Sequence, residues 1–108
     1  MIHELRVYHA MPGRMPDLLK RFDTVSLGLF KKHGIRVTGL WTTAIGQSNL
    51  DLVYIIEWES LADRESKWGA FQRDPEWHSE RKKSEQDGPL IAFVTNSILQ
   101  PASFPVAR

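Results

Sequence analysis

The sequence predicts an α+β domain built as a ferredoxin-like βαββαβ unit with an antiparallel sheet, and three observations lead to this prediction. Helical periodicity covers residues 14–33, and a second helical region begins at Ser60. The run Gly46-Gln47-Ser48-Asn49 is turn chemistry that predicts a hairpin between two strands. Segments rich in apolar and β-branched residues predict four strands, at 2–9, 35–46, 51–59 and 90–99. This order is that of the split βαβ unit.

The first helix is predicted from an apolar stripe that recurs at helical spacing. Gly34 follows the stripe as a helix-ending residue with positive φ, after Lys31 and Lys32, whose charges suit the negative end of a helix. The stripe consists of Met15, Leu18, Leu19, Phe22, Ser26, Leu29 and His33.

The second helical region is predicted as two helices. Ser60 begins a capping-box-like start with Asp63, and this helix runs to about Arg73. Asp74 and Pro75 then start a short helix, which ends near Glu85. We therefore assign residues 1–100 to one domain and residues 101–108 to a C-terminal tail.

The predicted sheet has apolar residues on both faces, but two helices can cover only one of them. In the third strand, Leu52, Tyr54, Ile56 and Trp58 alternate with Val53 and Ile55, and in the fourth, Leu90, Ala92 and Val94 alternate with Ile91, Phe93 and, further on, Leu99. We therefore expect two chains to stack as a homodimer, which gives a dimeric α/β barrel. The alternative is that the tail or the extra helix covers the second face.

Composition excludes several classes of function. The formal net charge is +1, with 14 basic and 13 acidic residues, so we expect no nucleic-acid partner. The sequence has no cysteine, which excludes disulfides and thiolate metal sites. No apolar run approaches membrane-spanning length and the first residues resemble a strand rather than a targeting segment, so we expect no membrane association and a cytoplasmic location.

Several short segments, in their order and spacing, resemble the NIPSNAP family of the dimeric α/β-barrel superfamily. The segments that carry the likeness are Glu4-Leu5-Arg6-Val7-Tyr8, Pro12-Gly13, Phe30, His33-Gly34, Gly39-Leu40-Trp41, Glu59-Ser60-Leu61, Arg64, Trp68, and Phe71 with Asp74-Pro75-Glu76-Trp77. The resemblance covers nearly the whole chain and implies a homodimeric barrel. It implies little biochemistry, because no general reaction is established for the family.

Arg6 and Tyr8 are the first candidates for a ligand pocket. Together with Glu4 they fall on one face of the first strand, where buried polar groups need partners. Arg6 could bind an anion or enolate while Tyr8 donates a hydrogen bond. The alternative is that Glu4 and Arg6 form a structural ion pair, within one chain or across the dimer.

His33 is the third candidate, as a general base or an axial haem ligand. The alternative is a histidine at the helix end that satisfies the last carbonyl groups. No two histidines have metal-ligand spacing on a helix, so we expect no metal site.

Trp41 and Tyr54 complete the candidate set, as an apolar wall. They belong to an aromatic-rich group that also includes Trp58, Trp68, Phe71 and Trp77, whose spacing is equally typical of an ordinary core.

Two functions remain open at this stage. The first is a homodimer that binds or transforms a small, flat, partly apolar molecule in the cleft between sheet and helices, without a bound cofactor. Superfamily relatives imply this by resemblance alone. The second is a non-catalytic protein-interaction module, while haem binding and cofactor-independent monooxygenation are lesser alternatives.

Overall fold

The computed structural model describes residues 1–107, and its four strands form one antiparallel sheet in the order β2-β3-β1-β4. The strands are β1 (Ile2–Ala10), β2 (Arg36–Thr42), β3 (Asp51–Trp58) and β4 (Ile91–Leu99). β1 pairs with β3 on one side and with β4 on the other, so the first strand of the sequence is central in the sheet. The predicted α+β fold is confirmed.

The first predicted helix is continuous but not α-helical throughout. It consists of α1 (Met15–Arg21), a π-helical segment (Phe22–Ser26) and α2 (Leu27–Lys32), which we call together the N-terminal helix. Arg21 and Phe30, which are not part of the predicted stripe, are also buried. The prediction identified the helix but not this change of its buried face.

The second helical region contains α3 (Leu61–Gln72) and α4 (Pro75–Ser84). The Ser60 side chain accepts a hydrogen bond from the Asp63 amide, and Asp74 accepts one from the Glu76 amide. Both predicted helix starts are therefore confirmed as side-chain caps.

The core lies between the helices and one face of the sheet. Alternate residues of β3, namely Leu52, Tyr54, Ile56 and Trp58, are at most 1% exposed. Phe71 of α3 packs its ring against Trp68 and Trp77 at centroid distances of 5.1 and 4.8 Å. Trp68, Phe71 and Trp77 therefore belong to the core, which is the alternative that their spacing allowed.

The opposite face of the sheet has no helix on it and is apolar in the middle. We call it the open face, and it is formed by Leu5 and Val7 of β1, Val53 and Ile55 of β3, Trp41 of β2, and Phe93 and Leu99 of β4. Phe93 and Trp41 are 57% and 51% exposed. Within residues 1–107, neither the tail nor α4 covers these two side chains, contrary to the alternative considered above.

A β-bulge at the start of β4 changes which of its residues face the helices. His9 pairs with Phe93, but Ala10 pairs with Ile91, so Ala92 is the extra residue. Ile91 packs against the core while Phe93 faces the opposite way. The prediction placed Ile91 and Phe93 on one face, and this is wrong because simple alternation cannot include a bulge.

The second strand is shorter than predicted, since it ends at Thr42 rather than at residue 46, and the connection to β3 is a longer loop. β2 also carries a register shift between Val37 and Gly39. The Trp41 indole folds back across Gly39, where a Cβ would clash with the ring. Glycine at 39 therefore permits the position of Trp41 on the open face.

We predict that Gly34→Ala lowers the free energy of unfolding by about 1 kcal/mol, because Gly34 ends the N-terminal helix with φ of 71°. Thermal or urea denaturation measures this change. Gly28→Ala is the matched control, since Gly28 is inside α2 with open space around a Cβ, and it should stabilise by about 1 kcal/mol. Equal effects of the two substitutions would contradict the assignment.

Candidate functional site

Three of the five predicted site residues meet on the helix-covered face of the sheet. The Arg6 Nε donates to the Tyr54 hydroxyl at 2.8 Å, and the Tyr54 hydroxyl donates to the Tyr8 hydroxyl at 2.9 Å. Arg6 and Tyr54 are opposite each other in the pairing of β1 with β3, and Tyr8 is two residues along β1. We call this chain of hydrogen bonds the Arg6–Tyr54–Tyr8 relay.

The first step of the relay has a fixed direction because a guanidinium group can only donate. In the structure the Tyr54 oxygen accepts from Arg6, and the Tyr54 hydroxyl donates to the Tyr8 oxygen. No acceptor for the Tyr8 hydroxyl hydrogen is found among the hydrogen bonds of residues 1–107. The relay therefore ends in an available donor at Tyr8.

Arg6 is held in place by a buried carboxylate on the same strand. Glu4 is fully buried and accepts hydrogen bonds from four side chains. Arg6 Nη1 donates at 3.0 Å and Trp58 Nε1 at 3.0 Å. Arg64 of α3 donates through Nε at 2.8 Å and Nη2 at 3.1 Å, and Asn96 of β4 donates through Nδ2 at 2.9 Å. The predicted Glu4–Arg6 pair exists, as one part of this larger cluster.

These contacts decide the charge state of each group. Burial alone would raise the pKa of Glu4, but hydrogen bonds from Arg64, Asn96, Trp58 and Arg6 outweigh it and lower this pKa to about 2. The pKa of Arg6 is raised despite its burial, through Tyr54, Tyr8 and Glu4. Burial, together with Tyr8, raises the pKa of Tyr54 well above its ordinary range, although Arg6 opposes this. Glu4 and Arg6 are thus both charged near neutral pH, and Tyr54 keeps its proton.

The relay reaches a part of the sheet that the helices leave uncovered. Val94 of β4 is opposite Tyr8, Asn96 is opposite Arg6 and Ile98 is opposite Glu4. Val94 and Ile98 are 41% and 40% exposed, and we call these three residues the β4 shelf. The Arg6 guanidinium carbon lies 4.5 Å from the centre of the Trp68 ring. A ligand on the β4 shelf would therefore meet both apolar surface and the polar end of the relay.

His33 does not join this cluster. Its Nε2 lies 2.7 Å from Asp74 Oδ2, so it connects the end of the N-terminal helix to the capping residue of α4 instead of bonding helix carbonyls. Between it and Arg6 is a series of ring contacts through Phe71 and Trp68. The Nε2 atom of His33 is thus already engaged, and its position on the apolar stripe is explained by this contact between helices.

Trp41 lies on the other side of the sheet. It pairs with Val53, which is on the open face, whereas Tyr54 is on the helix-covered face. The structure therefore brings Tyr54 to Arg6 and Tyr8 but does not bring Trp41 there.

Sequence reasoning missed the three other donors to Glu4 as members of the site. Arg64 and Trp58 gave no local signal, because neither is close to Glu4 in the chain. Asn96 did carry a signal, since it is an amide within a strand made mostly of apolar and small residues. In the described part of the chain, no group of three or more metal-ligating side chains could hold a metal ion. No described helix is long and apolar enough to span a membrane.

We predict that acid weakens the fold through Glu4. The pKa of Glu4 falls from its ordinary 4.5 to about 2 on folding, so its contribution is complete above pH 4.5 and is lost as pH falls toward 2. This corresponds to about 3 kcal/mol at ~1.4 kcal/mol per pKa unit. Urea denaturation between about pH 5 and about pH 2 should show a loss in the wild type that exceeds the loss in Glu4→Gln by about this amount.

Asn96→Ala is the milder control for this prediction, because it removes one of the donors and leaves the ion pairs. In this variant the pKa of Glu4 should be higher than in the wild type, so the acid-induced loss of stability should begin at higher pH. If all three proteins lost stability in parallel with pH, the role of Glu4 would be rejected.

Comparisons with known proteins agree with the fold. The NIPSNAP family model matches residues 3–105. A NIPSNAP family protein of unknown function from Agrobacterium tumefaciens is 30% identical, with a TM-score of 0.84, over 100% of this chain and 94% of its own. An uncharacterised NIPSNAP domain protein from Burkholderia xenovorans is 25% identical, with a TM-score of 0.84, over 97% and 98% of the two chains. No curated protein matches significantly.

A more distant likeness shows the fold alone. A proposed antibiotic biosynthesis monooxygenase from Nitrosomonas europaea is 8% identical, with a TM-score of 0.63, over 94% of this chain and 98% of its own. The ferredoxin-like arrangement is thus shared with proteins of very different sequence. Since the family model covers nearly the whole chain, this protein belongs to the NIPSNAP family.

Proposed function

We propose that this protein is a homodimer in which each subunit binds a small, flat, partly apolar molecule through an acceptor oxygen at the Tyr8 hydroxyl. The observation that carries the ligand proposal is the Arg6–Tyr54–Tyr8 relay, which ends in a donor beside the β4 shelf. A carbonyl, enolate or carboxylate oxygen of the ligand would complete the relay. The apolar part of the ligand would lie against Val94.

The positive charge of Arg6 supports this preference for an acceptor. Hydrogen bonds in a chain polarise one another, so a cation at the first position strengthens the donor at the last. The effect is greatest for an oxygen that carries negative charge, as in an enolate or carboxylate. Arg6 therefore acts through Tyr54 as a positioning and polarising residue, and Tyr8 is the residue that would touch the ligand.

The same geometry argues against Glu4 as a proton acceptor. Its carboxylate is buried under four donors and has a pKa of about 2, so it binds a proton poorly near neutral pH. His33 is paired with Asp74 away from the relay. With neither group available as a base at Tyr8, ligand binding and stabilisation of an oxyanion are the chemistry that these residues support best.

The homodimer is supported by the open face. The middle of this face is formed by uncharged residues of β1 and β3, and charged residues such as Arg36 and Glu57 are at its margin. A second copy of the same face can approach such a centre without like charges meeting, as a two-fold contact requires. Exposed Phe93, Trp41 and Leu99 give it the apolar character of an interface core.

We predict that the wild-type protein has about twice the 12.4 kDa chain mass in light scattering at micromolar concentration. Val53→Asp places a charge in the middle of the open face and should give a monomer with unchanged circular dichroism, because an unpaired charge is costly to bury in an apolar interface. Ile45→Asp is the matched control, since Ile45 is 98% exposed in the loop before β3, and it should remain dimeric. A monomeric wild type would instead favour the interaction-module alternative, with a different protein on this face.

We predict that the protein binds 2-acetylnaphthalene about fivefold more tightly than 2-ethylnaphthalene, which has the same shape but no acceptor oxygen. This factor corresponds to one hydrogen bond of about 1 kcal/mol. Titrations followed by tryptophan fluorescence measure both affinities. Tyr8→Phe should abolish the difference and keep the fold, while Trp41→Phe, on the opposite face, should retain it. A difference that survives in Tyr8→Phe, or no saturable binding of either probe, would reject the site.

A further inference from the structure

A cleft between the N-terminal helix and α4 has no residue of the relay in its lining. It has a volume of about 350 Å³, and its lining includes Arg14, Lys20, Arg21 and Thr24 from the first side and Lys83 and Ser84 from the second. The proposed function makes no use of this cleft. Its size suits a small molecule or a single charged group.

Two guanidinium groups of this lining are incompletely bonded. The Nε atoms of Arg14 and Arg21 are buried and have no hydrogen-bond partner within residues 1–107. Buried donors are nearly always paired, so an unpaired one calls for a missing acceptor. Here two such donors belong to one cleft, which indicates an acceptor group that both arginines could share.

Arg21 is the more unusual of the two because its side chain is only 3% exposed. Its Nη1 donates to Ser84 Oγ at 3.2 Å and lies 3.6 Å from the Glu85 carboxylate. Its guanidinium carbon lies 5.3 Å from the centre of the Trp77 ring. Burial lowers the pKa of Arg21, and Glu85 only partly opposes this. An anion in the cleft would balance the buried charge more completely.

The charges of the cleft favour an anion over a cation. Arg14, Lys20, Arg21 and Lys83 contribute four positive charges, against three from Asp17, Glu80 and Asp87. Two of these carboxylates are already near cations, Asp17 at 3.3 Å from Arg14 and Glu80 at 3.4 Å from Lys83. Arg21 is near Glu85, so Lys20 is the lining cation that has no ion-pair partner within residues 1–107 and supplies the excess positive charge.

The π-helical segment gives an independent reason to regard the cleft as a site. It begins at Phe22, directly after Arg21, and its residues Thr24 and Val25 form part of the lining. π-helical turns are rare and occur frequently at functional sites. The segment itself contains no proline or glycine, the residues that commonly cause irregularities in helices.

We propose that this cleft binds a small oxyanion, the carboxylate or phosphate group of a small molecule, through the guanidinium groups of Arg14 and Arg21. Lys20 adds positive charge at the rim. The lining of this cleft does not include Tyr8, so the anion would bind to different residues from the ligand of the relay. Small rotations of the two arginine side chains would turn their planar donor edges toward the anion, an arrangement that suits paired oxygens.

The test is an NMR titration of the isotope-labelled full chain with inorganic phosphate and, separately, with malonate at constant ionic strength. We expect saturable shifts of the Thr24, Val25 and Ser84 amides. Tighter binding of phosphate would identify a phosphate site, and tighter binding of malonate would identify a carboxylate site. Shifts that rise linearly with both anions, without saturation, would overturn the proposal.

Charge-matched variants then separate a specific site from general attraction. Arg14→Gln and Lys20→Gln should each weaken binding about fivefold or more, while Lys82→Gln should leave it unchanged, because Lys82 is outside the cleft. Arg21→Lys keeps the charge but removes the planar donor group, and it should also weaken binding. Equal weakening by Lys82→Gln, or no weakening by Arg14→Gln and Lys20→Gln, would overturn the proposal even if the Arg21 variant failed to fold. Shifts centred on Tyr8 and Val94 would assign the anion to the relay instead.

Discussion

The ion and hydrogen-bond cluster around Glu4 is the interaction on which the rest of the structure depends. A carboxylate at the centre of a sheet is costly unless every oxygen is bonded, and here β1, β3, β4 and α3 each contribute a donor. These donors come from three separate parts of the chain, namely β1, the consecutive elements β3 and α3, and β4. The cluster therefore forms only when all four have docked, and it fixes their relative positions more closely than apolar packing alone would.

The two faces of the sheet differ in the residues that they contain. The helix-covered face contains the buried charge, the aromatic core and the relay, all within one chain. The open face has no comparable polar group at its centre, and its large side chains remain exposed in one chain. The proposed assembly and the proposed ligand binding can thus be tested separately, because substitutions of Val53 and of Tyr8 act on opposite sides of the same sheet.

The general fold could be predicted from the sequence because its signals are local. The helix caps at Ser60 and Asp74 and the helix end at Gly34 each depend on a few consecutive residues. The meeting of Arg6, Tyr8 and Tyr54 was partly predictable, since strand alternation places the first two on one face. Arg64 and Asn96 could not be assigned to the same carboxylate, because that needs the register of three strands and the docking of α3. His33 and Trp41 were placed in the site by residue type, but helix capping and strand parity put them elsewhere.

Because of the bulge at Ala92, this protein should tolerate insertions and deletions less well at the start of β4 than in the loop before β3. Side chains of a strand alternate, so losing one residue at the start of β4 would exchange the two sides of everything after it. Asn96 would leave Glu4, and Phe93 and Leu99 would turn toward the helices. The loop between Thr42 and Asp51 has no such constraint, because both strands beside it are held by their own pairing. In an alignment of related chains, we therefore expect gaps in that loop. A gap between Leu90 and Phe93 would indicate that the donors around Glu4 differ in that relative.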